Sequence, residues 1–479
     1  MWLTDADACQ AKCRKRPRWA RCLMDNPTRT ALEKLQPHVL QDPECHTAFR
    51  MQLLLADGEF APRDVVERYQ LARLKMLARH AAAEAPYWRE RLDLDAILAA
   101  GTLHAALSRI PILSRSAIID RGKEMRTATL PQGHTLLGEL RTSGSTGAAI
   151  SIAVTDMSIR LQTALTLRAH LWAGRDFTKP IAILRRMKQG GAAYPDGMRS
   201  ERWDVPFGFP FPTGPCLALD THRTSLDRQW EWLERMRPSY ILTYPSILRG
   251  YAERVARNEC APIPFESITS ISEVVDPELR GLAARYLNAP IHDLYSSEEA
   301  GLIAAQCPST ASYHIQAEAL IVEIVDDAGQ PCPPGGVGRV LVTPLFNFAM
   351  PLFRYELGDF AEAGGACGCG RGLPTINRIM GRRRTLLTLA DGRRFWPSLG
   401  AREMVKVVQV RQHQFRQTSA DVLDVLLVTD EEISPEQTRE LEKVVLGRLP
   451  AKLTVRVQRV AEIPKPASGK YEEFVSFVT

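Results

Sequence analysis

Short apolar runs alternate with helix-like stretches through the middle of this chain, between residues 150 and 350. Alternation of this kind predicts an α/β domain with substantial parallel sheet, because a helix after each strand returns the chain to the same edge of the sheet. No other feature of the sequence constrains the fold as strongly. The runs predicted to be strands are Ile181 to Leu184, Tyr240 to Thr243, Ile268 to Ile271, Ile291 to Leu294 and Leu320 to Val325.

The segments on either side of this region have a different texture. From about residue 63, apolar residues recur on one face, which predicts a helix that Pro86 ends. After Arg384, the run from Val422 to Val428 is typical of a strand, and Ser434 to Gln437 begin a helix with a capping box. We therefore predict an N-terminal extension that is partly helical or mobile, a large domain, and a small α+β domain, at residues 1–62, 63–383 and 384–479.

The composition is that of a globular protein. The chain has 479 residues, of which 45% are hydrophobic and 24% charged, and this length predicts at least two domains. No apolar run approaches the roughly 18 to 20 residues that span a bilayer, and no signal peptide is recognisable, so we expect a cytoplasmic protein without a membrane partner. Ten cysteines are too sparse for a disulfide scaffold, which leaves free thiols or metal ligands.

The N-terminus carries a basic tract in a chain whose net charge is only +6. Six basic residues lie between Lys12 and Arg21, and such a tract could contact nucleic acid or a partner. We favour the alternative of a solvated, mobile arm, and expect no nucleic acid partner. Four cysteines in the same region fit no standard spacing of metal ligands: Cys9, Cys13, Cys22 and Cys45.

A small-residue loop precedes the strand-like residues 150–154. Its sequence is SGSTG, at Ser143, Gly144, Ser145, Thr146 and Gly147. Backbone N–H groups and three hydroxyls can converge there on an anion, which predicts a phosphate loop, although a flexible surface turn has the same composition. No lysine follows the second glycine, so this is a different loop from the Gly-x4-Gly-Lys-Ser/Thr nucleotide motif.

Charged residues in four later segments could bind other parts of a nucleotide or its metal ion. Glu298 and Glu299 follow an apolar run and could hold Mg2+, or form a solvated acidic pair. Asp359, in FRYELGD, could accept two hydrogen bonds from a ribose diol, or belong to an ordinary turn. Arg382, in GRRR, could contact a nucleotide, and Lys470 is presented on a glycine turn in PASGK.

Cysteines and a histidine suggest a second kind of site. Cys367 and Cys369 lie one residue apart in a glycine-rich loop, and Cys307 and His314 lie upstream with a seven-residue offset. Three thiolates and one imidazole can form a closed tetrahedral zinc site, which is structural rather than catalytic. Buried free cysteines beside a surface histidine are the alternative.

In chain order, SGSTG, YSSEEAG, FRYELGD, GRRR and PASGK resemble the adenylate-forming superfamily of acyl-CoA synthetases, most closely its phenylacetate-CoA ligase-like branch. The resemblance runs from about Tyr69 to the C-terminus. Two positions depart from the pattern, since Ser296 replaces the usual glycine after Tyr295 and Glu298 replaces a threonine or serine. The resemblance implies a large adenylate-forming α/β domain with mixed β-sheets and helices, and a small α+β C-terminal lid domain.

The resemblance also implies a two-step reaction. A substrate carboxylate attacks the α-phosphorus of ATP to give an acyl-adenylate and pyrophosphate, and then a nucleophile, usually the CoA thiol, displaces AMP. An amine, an amino acid or a carrier-protein thiol could replace CoA as the acceptor. A non-catalytic binding protein is a further alternative, against which the presence of Lys470, Glu299 and Asp359 argues. We expect an aromatic acid, although the aromatic residues between 194 and 251 suit core packing equally, and we also consider a homodimer.

Each matching position receives a role from the resemblance. The loop at 143–147 would bind the β- and γ-phosphates, and Lys470 would bridge the carboxylate and the α-phosphate. Some members of the branch bind zinc at positions matching the three cysteines and the histidine. The remaining roles are Glu299 for Mg2+, Asp359 for the ribose, Arg382, Ser272, Glu273, Tyr295 and Ser296 for the nucleotide, Tyr244 and Ser246 for the substrate, and Arg384 as the hinge of a rotating C-terminal domain.

Overall fold

The computed structural model describes residues 43–142, 150–187, 191–203, 205–206, 208–209, 211–382, 387–395, 399, 401–449, 453–463 and 474–478. The chain divides into two compact units. The first comprises residues 1–142, 148–357 and 361–379, and the second comprises 143–147, 358–360 and 380–479. Among the described helices, none is long and apolar enough to cross a membrane.

Six helices open the described chain. The predicted helix after residue 63 ends at Glu84, because Pro86 disfavours a helical conformation in Ala85, which is extended. Three of the shorter helices begin at a side chain that accepts a hydrogen bond from the helix backbone, namely Asp93, Thr102 and Ser114. The helices are α1 (Pro43–Gly58), α2 (Arg63–Glu84), α3 (Pro86–Arg89), α4 (Leu94–Ala99), α5 (Leu103–Leu107) and α6 (Arg115–Arg121).

The first unit is built on a twelve-stranded sheet, and four helices precede or separate its strands in sequence. The antiparallel pair β1 (Leu136–Arg141) and β2 (Ser151–Thr155) precedes it. The helices are α7 (Asp156–Trp172), α8 (Leu226–Met236), α9 (Pro245–Ala256) and α10 (Pro277–Leu282). The strands are β3 (Ile181–Arg185), β4 (Met198–Ser200), β5 (Cys216–Asp220), β6 (Tyr240–Thr243), β7 (Ser267–Ile271), β8 (Ile291–Ser297), β9 (Gly301–Gln306), β10 (Tyr313–Ile315), β11 (Leu320–Val325), β12 (Val337–Pro344), β13 (Tyr355–Ala363) and β14 (Thr375–Arg382).

The sheet has a parallel half and an antiparallel half. Its order is β11-β12-β13-β14-β10-β9-β8-β7-β6-β3-β5-β4. Strands β5, β3, β6, β7 and β8 pair in parallel with one another, and they contain four of the five predicted runs. The β8–β9, β9–β10, β10–β14 and β11–β12 pairs are antiparallel. The predicted α/β class with mixed sheets is therefore confirmed.

The second unit contains a smaller mixed sheet. Its order is β19-β18-β17-β20, and a two-stranded ribbon precedes it. The predicted capping box is present, because Ser434 and Gln437 exchange side-chain-to-backbone hydrogen bonds. The predicted domain boundary at residue 384 lies outside the described residues and stays a prediction. The elements are β15 (Leu387–Thr388), β16 (Arg394–Phe395), α11 (Ala401–Val407), β17 (Val410–Ser419), β18 (Val422–Thr429), α12 (Pro435–Leu446), β19 (Thr454–Arg459) and β20 (Phe474–Ser476).

Helix α1 and the residue that follows it contact the rest of the first unit through buried polar groups. Arg168, on α7, donates to the Leu55 carbonyl over 2.8 Å, and the Trp172 indole donates to the Glu59 carboxylate over 2.8 Å. The N–H of Gly372 donates to the Glu59 carbonyl over 3.0 Å. A Cβ at Gly372 would lie 1.7 Å from the Ala61 carbonyl oxygen, so this close approach requires glycine.

Several aromatic residues considered for substrate binding are in the hydrophobic core. Trp203, Phe209 and Phe211 pack with His170 or Phe177, mostly edge to face, and Tyr240 packs edge to face with Trp203. All four belong to one buried cluster, which confirms the core-packing alternative for these positions. Phe207 lies outside the described residues.

Candidate active site and metal centre

The two ends of the predicted phosphate loop are joined at its base. Thr142 donates its backbone N–H to the Ile150 carbonyl over 3.0 Å, and the Thr142 hydroxyl accepts the Ile150 N–H over 3.1 Å. Thr142 and Ile150, which flank the predicted loop in sequence, are therefore paired with each other. The loop residues themselves, Ser143, Gly144, Ser145, Thr146 and Gly147, lie outside the described residues, as do Arg384 and Lys470.

The predicted magnesium ligand lies in a tight turn between β8 and β9. Gly301 ends the turn with φ +70°, and a Cβ there would collide with the side chain of Gln162 at 2.2 Å. Gln162, on α7, accepts the Leu302 N–H over 2.8 Å, and the Ser297 hydroxyl accepts the Ala300 N–H over 3.0 Å. These contacts fix the turn from both ends and thereby orient the carboxylates.

Glu299 is directed into the protein, where it has a cation and a phenol as partners. Its side chain is 9% exposed, and its Oε1 lies 3.3 Å from an Arg115 guanidinium nitrogen. The Tyr355 hydroxyl donates to the same oxygen over 3.3 Å. Burial, and then the charge of Glu299, raise the pKa of Tyr355, so the phenol keeps its proton. Arg115 also donates to the Thr142 hydroxyl over 3.0 Å and so links the turn to the loop base.

The neighbouring residues of the YSSEEAG segment differ in burial. Glu298 is exposed, in contrast to Glu299, and the choice of Glu299 as the metal-binding acid stays a prediction. Tyr295 is buried in β8, opposite Ala304 of β9, whereas Ser296 is exposed. Their proposed contacts with a nucleotide stay predictions.

The predicted substrate and nucleotide residues meet where β6 and β7 end. The Glu273 carboxylate accepts the Ser246 N–H over 2.9 Å and the Ser246 hydroxyl over 3.1 Å, at the first turn of α9. Tyr244, which is buried, accepts the Arg186 N–H at its hydroxyl over 3.1 Å. Ser272 has φ +71°, an unusual value for a non-glycine residue. The carboxyl ends of parallel strands are where α/β sheets bind ligands, so these side chains lie at a suitable place.

In the second unit, Asp359 and Arg382 form an ion pair. The Arg382 Nε lies 3.6 Å from the Asp359 carboxylate, and the two side chains are 38% and 17% exposed. The two residues assigned to the ribose and the nucleotide are thus neighbours. In the first unit, the arginine of FRYELGD has a structural partner instead, because Arg354 contacts both oxygens of Glu323, at 3.2 and 3.0 Å.

The four predicted zinc ligands converge on one point. Their ligand atoms lie within 4.8 Å of one another, with the two thiols of Cys307 and Cys367 3.8 Å apart. His314 Nε2 lies 3.2 Å from the Cys369 sulfur. Tetrahedral zinc with sulfur ligands at about 2.3 Å has sulfurs about 3.8 Å apart, so this donor set fits the metal. Burial, and then the nearby Arg371 charge, lower the pKa of His314 to about 4, which favours the neutral, metal-binding form.

Sequence reasoning missed three residues of the Glu299 surroundings. Arg115 is distant in sequence from both of its partners, and only its place after the N-cap Ser114 was readable. Gln162 lies on a helix face without any motif. Tyr355 was part of a recognised segment, FRYELGD, and its position beside Arg354 could have marked it for a role.

Solved structures resemble this fold over most of the chain. A 2-hydroxyisobutyryl-CoA ligase in the postadenylation state, in complex with 2-HIB-AMP, matches with a TM-score of 0.67 at 16% identity, over 85% of this chain and 88% of that one. The same ligase with 2-HIB-AMP and CoA in the thioesterification state matches with a TM-score of 0.57 at 16% identity, over 88% and 91%. The chain therefore has the fold of CoA ligases of the adenylate-forming superfamily.

The two sequence relatives share one name, phenylacetate-coenzyme A ligase. A phenylacetate-coenzyme A ligase from Pseudomonas putida is 22% identical over 438 residues, which are 87% of this chain and 93% of the relative. A phenylacetate-coenzyme A ligase from Thermus thermophilus is 24% identical over 339 residues, or 69% and 73%. Residues 398–476 match the model of the CapK C-terminal domain. The resemblance to the phenylacetate-CoA ligase-like branch is thus confirmed.

Proposed function

We propose that this protein activates a carboxylic acid with ATP as an acyl-adenylate, releases pyrophosphate and transfers the acyl group to CoA. The observation that carries the proposal is the buried Glu299 carboxylate, fixed in the turn after β8 beside the base of the 143–149 loop through Arg115. Similarity to phenylacetate-CoA ligases over most of both chains supports it. No observation favours an amine or a carrier protein as the acceptor, or a homodimer, and these stay predictions.

The chain's own residues would control charge in the first step, in which an anion approaches a polyanion. Backbone N–H groups and hydroxyls of 143–147 would bind the terminal phosphates, and Lys470 would stabilise the charge between the carboxylate and the α-phosphate. Asp359 would accept hydrogen bonds from the ribose, with Arg382 beside it. Glu299 would hold Mg2+, which supplies positive charge to the phosphates when it is bound.

We propose an aromatic acid as the substrate. The names of both sequence relatives specify phenylacetate, which supports an arylacetic or related acid. Tyr244 and Ser246, where β6 ends, are the side chains that we assign to the substrate, and Ser246 donates to Glu273, which we assign to the nucleotide. A panel of aromatic and aliphatic acids, compared by pyrophosphate release, tests the assignment.

We propose a structural zinc ion for the second site. Cys307, His314, Cys367 and Cys369 would be its ligands, and the metal would cross-link the antiparallel β9–β10 pair to the loop between β13 and β14. No position is left for water or substrate when all four groups bind, so the site would stabilise the fold rather than take part in the reaction.

The central test is pyrophosphate release from ATP and acid, followed by a CoA-dependent release of AMP. Lys470→Ala should slow adenylation by about a hundredfold or more, which corresponds to about 2.7 kcal/mol, because a preorganised positive charge is lost at the transition state. Thioester formation from a pre-made acyl-adenylate should change much less. Quenched assays, run separately for the two half-reactions, measure the rates of adenylation and of thioester formation.

Lys465→Ala is the matched control, because it removes a lysine from the same segment and should leave both half-reactions near wild type. Equal losses in the two half-reactions of Lys470→Ala would contradict its role. Absence of any acid-dependent pyrophosphate release from the wild-type protein would contradict the proposed function itself.

A further inference from the structure

We propose that Arg115 is a positioning residue whose guanidinium group pairs with the Glu299 carboxylate and competes there with a divalent cation, so that the metal binds weakly until nucleotide phosphates bind the arginine. The inference rests on the proposed function and extends it to the order in which the site is filled. It concerns a residue to which no motif of the sequence assigns a role.

The first support is the position of the guanidinium group. Arg115, at the first turn of α6, lies 3.3 Å from Glu299 Oε1 through one terminal nitrogen and donates to the Thr142 hydroxyl over 3.0 Å through the other. Its two terminal nitrogens therefore join the metal-binding turn to the base of the phosphate loop. A guanidinium group is suited to this, because its donors are fixed in a planar fork.

The second support is the burial and charge of Glu299. Its side chain is 9% exposed, and a carboxylate so poorly solvated needs a cation close to it. Among the residues that the structure describes, Arg115 is the one cation within ion-pair distance. Tyr355 donates a hydrogen bond to the same oxygen, but its phenol is neutral, because burial and Glu299 raise its pKa.

The consequence is competition between two cations for one oxygen. A divalent ion that binds Glu299 Oε1 meets the positive charge of Arg115 at the same atom, which weakens its binding. Phosphates would remove the conflict, because arginine pairs strongly with phosphate oxygens, and Thr142, which accepts a hydrogen bond from the guanidinium group, directly precedes the segment that we predict to bind them. Metal and nucleotide would therefore bind with positive coupling, and each would raise the affinity for the other by the same factor.

The test measures Mn2+ binding to the whole protein without acid or ATP, by titration with electron paramagnetic resonance of free Mn2+. Mn2+ is the probe because it prefers oxygen ligands over the thiols of the second site. Arg115→Gln should bind Mn2+ about tenfold more tightly than wild type, the size of effect that one nearby charge exerts on a carboxylate. Arg115→Lys keeps the charge and should stay near wild type.

Two further variants make the result specific. Arg109→Gln removes an exposed arginine six residues away and should bind Mn2+ like wild type. Glu299→Gln introduced into Arg115→Gln should abolish the added affinity. Thr142→Val removes the second partner of the guanidinium group, together with the side-chain acceptor of the Ile150 N–H, and should tighten Mn2+ binding by a smaller factor. It replaces Arg115→Gln if that variant fails to fold.

The inference is overturned if Arg115→Gln and Thr142→Val bind Mn2+ no more tightly than wild type, or if the gain survives loss of Glu299. Neither result depends on turnover. A wild-type protein that releases no pyrophosphate would instead remove the proposed function, so the two failures are distinguishable.

Discussion

Arg354 shows how a residue inside a functional motif can have a structural task. It has φ +43°, is 8% exposed, and contacts both carboxylate oxygens of Glu323. It also donates to the carbonyls of Ile110 and Gly329. Burial raises the pKa of Glu323, and the charge of Arg354 opposes that rise. The pair therefore fixes the backbone immediately before β13, next to Tyr355.

Replacement of this arginine should be costly. Arg354→Gln leaves the Glu323 carboxylate buried without its cation, and we expect a loss of about 3–5 kcal/mol in the free energy of unfolding. Urea denaturation followed by fluorescence measures it. The control is Arg63→Gln, which breaks an exposed pair with Glu67 and should cost under about 1 kcal/mol. Similar losses in the two variants would show that the Arg354 pair contributes no more than a surface contact.

The sequence identified the ionisable residues of the candidate sites better than the residues that contact them. Glu299, Asp359 and the four cysteine and histidine ligands were readable because their residue types and order restrict the chemistry. The contact of Glu299 with Arg115 was not, since the two lie 184 residues apart and neither local pattern refers to the other. Tertiary neighbours of this kind follow from the packing of the sheet.

Among the elements, the loop from Cys367 to Arg371 joins the candidate metal site to helix α1. The Arg371 guanidinium lies 3.6 Å from the buried Glu59 carboxylate and stacks over Trp172 at 4.6 Å. Trp172 in turn contacts the ring of His314 edge to face, with centroids 5.8 Å apart. Through these contacts, the conformation of this loop is coupled to the position of the residues at the end of α1.

Loss of the metal should loosen α1 before it affects the rest of the unit. Cys369→Ser should release about one zinc ion per chain, lower the thermal midpoint by several degrees and increase proteolysis near residues 50–62, because a closed site contributes to folding. Elemental analysis, differential scanning fluorimetry and limited trypsin digestion measure the three effects. Cys260→Ser, a free thiol outside the cluster, is the control and should retain the metal. A wild-type protein that is purified without zinc and is fully stable would exclude the site.

The local sequence pattern predicted the buried apolar strands and the start of one helix. The buried strands β3, β6, β7 and β8 stand out as apolar runs, and the capping box at Ser434 marks the start of α12. Most of the antiparallel half was not predicted, because a strand does not reveal its partner. Strand β10, for example, pairs with β14, about sixty residues further on. Helix α1 lies in the region predicted to be partly helical or mobile, but its bounds were not predicted.

For the whole molecule, the division into two units raises the question of motion. Lys470 must reach the α-phosphate during adenylation, whereas the acceptor needs room once pyrophosphate has left. We propose that the second unit reorients between the two steps about Arg384, the position implied by the resemblance. The location in the cell and the boundaries of the three predicted regions also remain predictions.

Proline at the hinge should separate the two steps. Arg384→Pro fixes φ near −65° and restricts the preceding residue, which should exclude one of the two arrangements. We expect adenylate formation within about tenfold of wild type and a far larger loss in thioester formation, measured as separate half-reactions. Arg384→Ala, which keeps the backbone free, is the control and should retain both steps. An equal effect of proline on both steps, or none, would remove the hinge assignment.

The close approach of Gly372 to Ala61 has an evolutionary consequence. Any side chain at residue 372 would displace the segment that follows α1, so a mutation there is tolerated only in a protein that has already lost or moved that segment. The reverse change is easier, since a chain without the N-terminal helix would put no constraint on this position. Among homologues, glycine at 372 should therefore accompany the N-terminal helix, and lineages that have shed the helix should be free to drift to other residues.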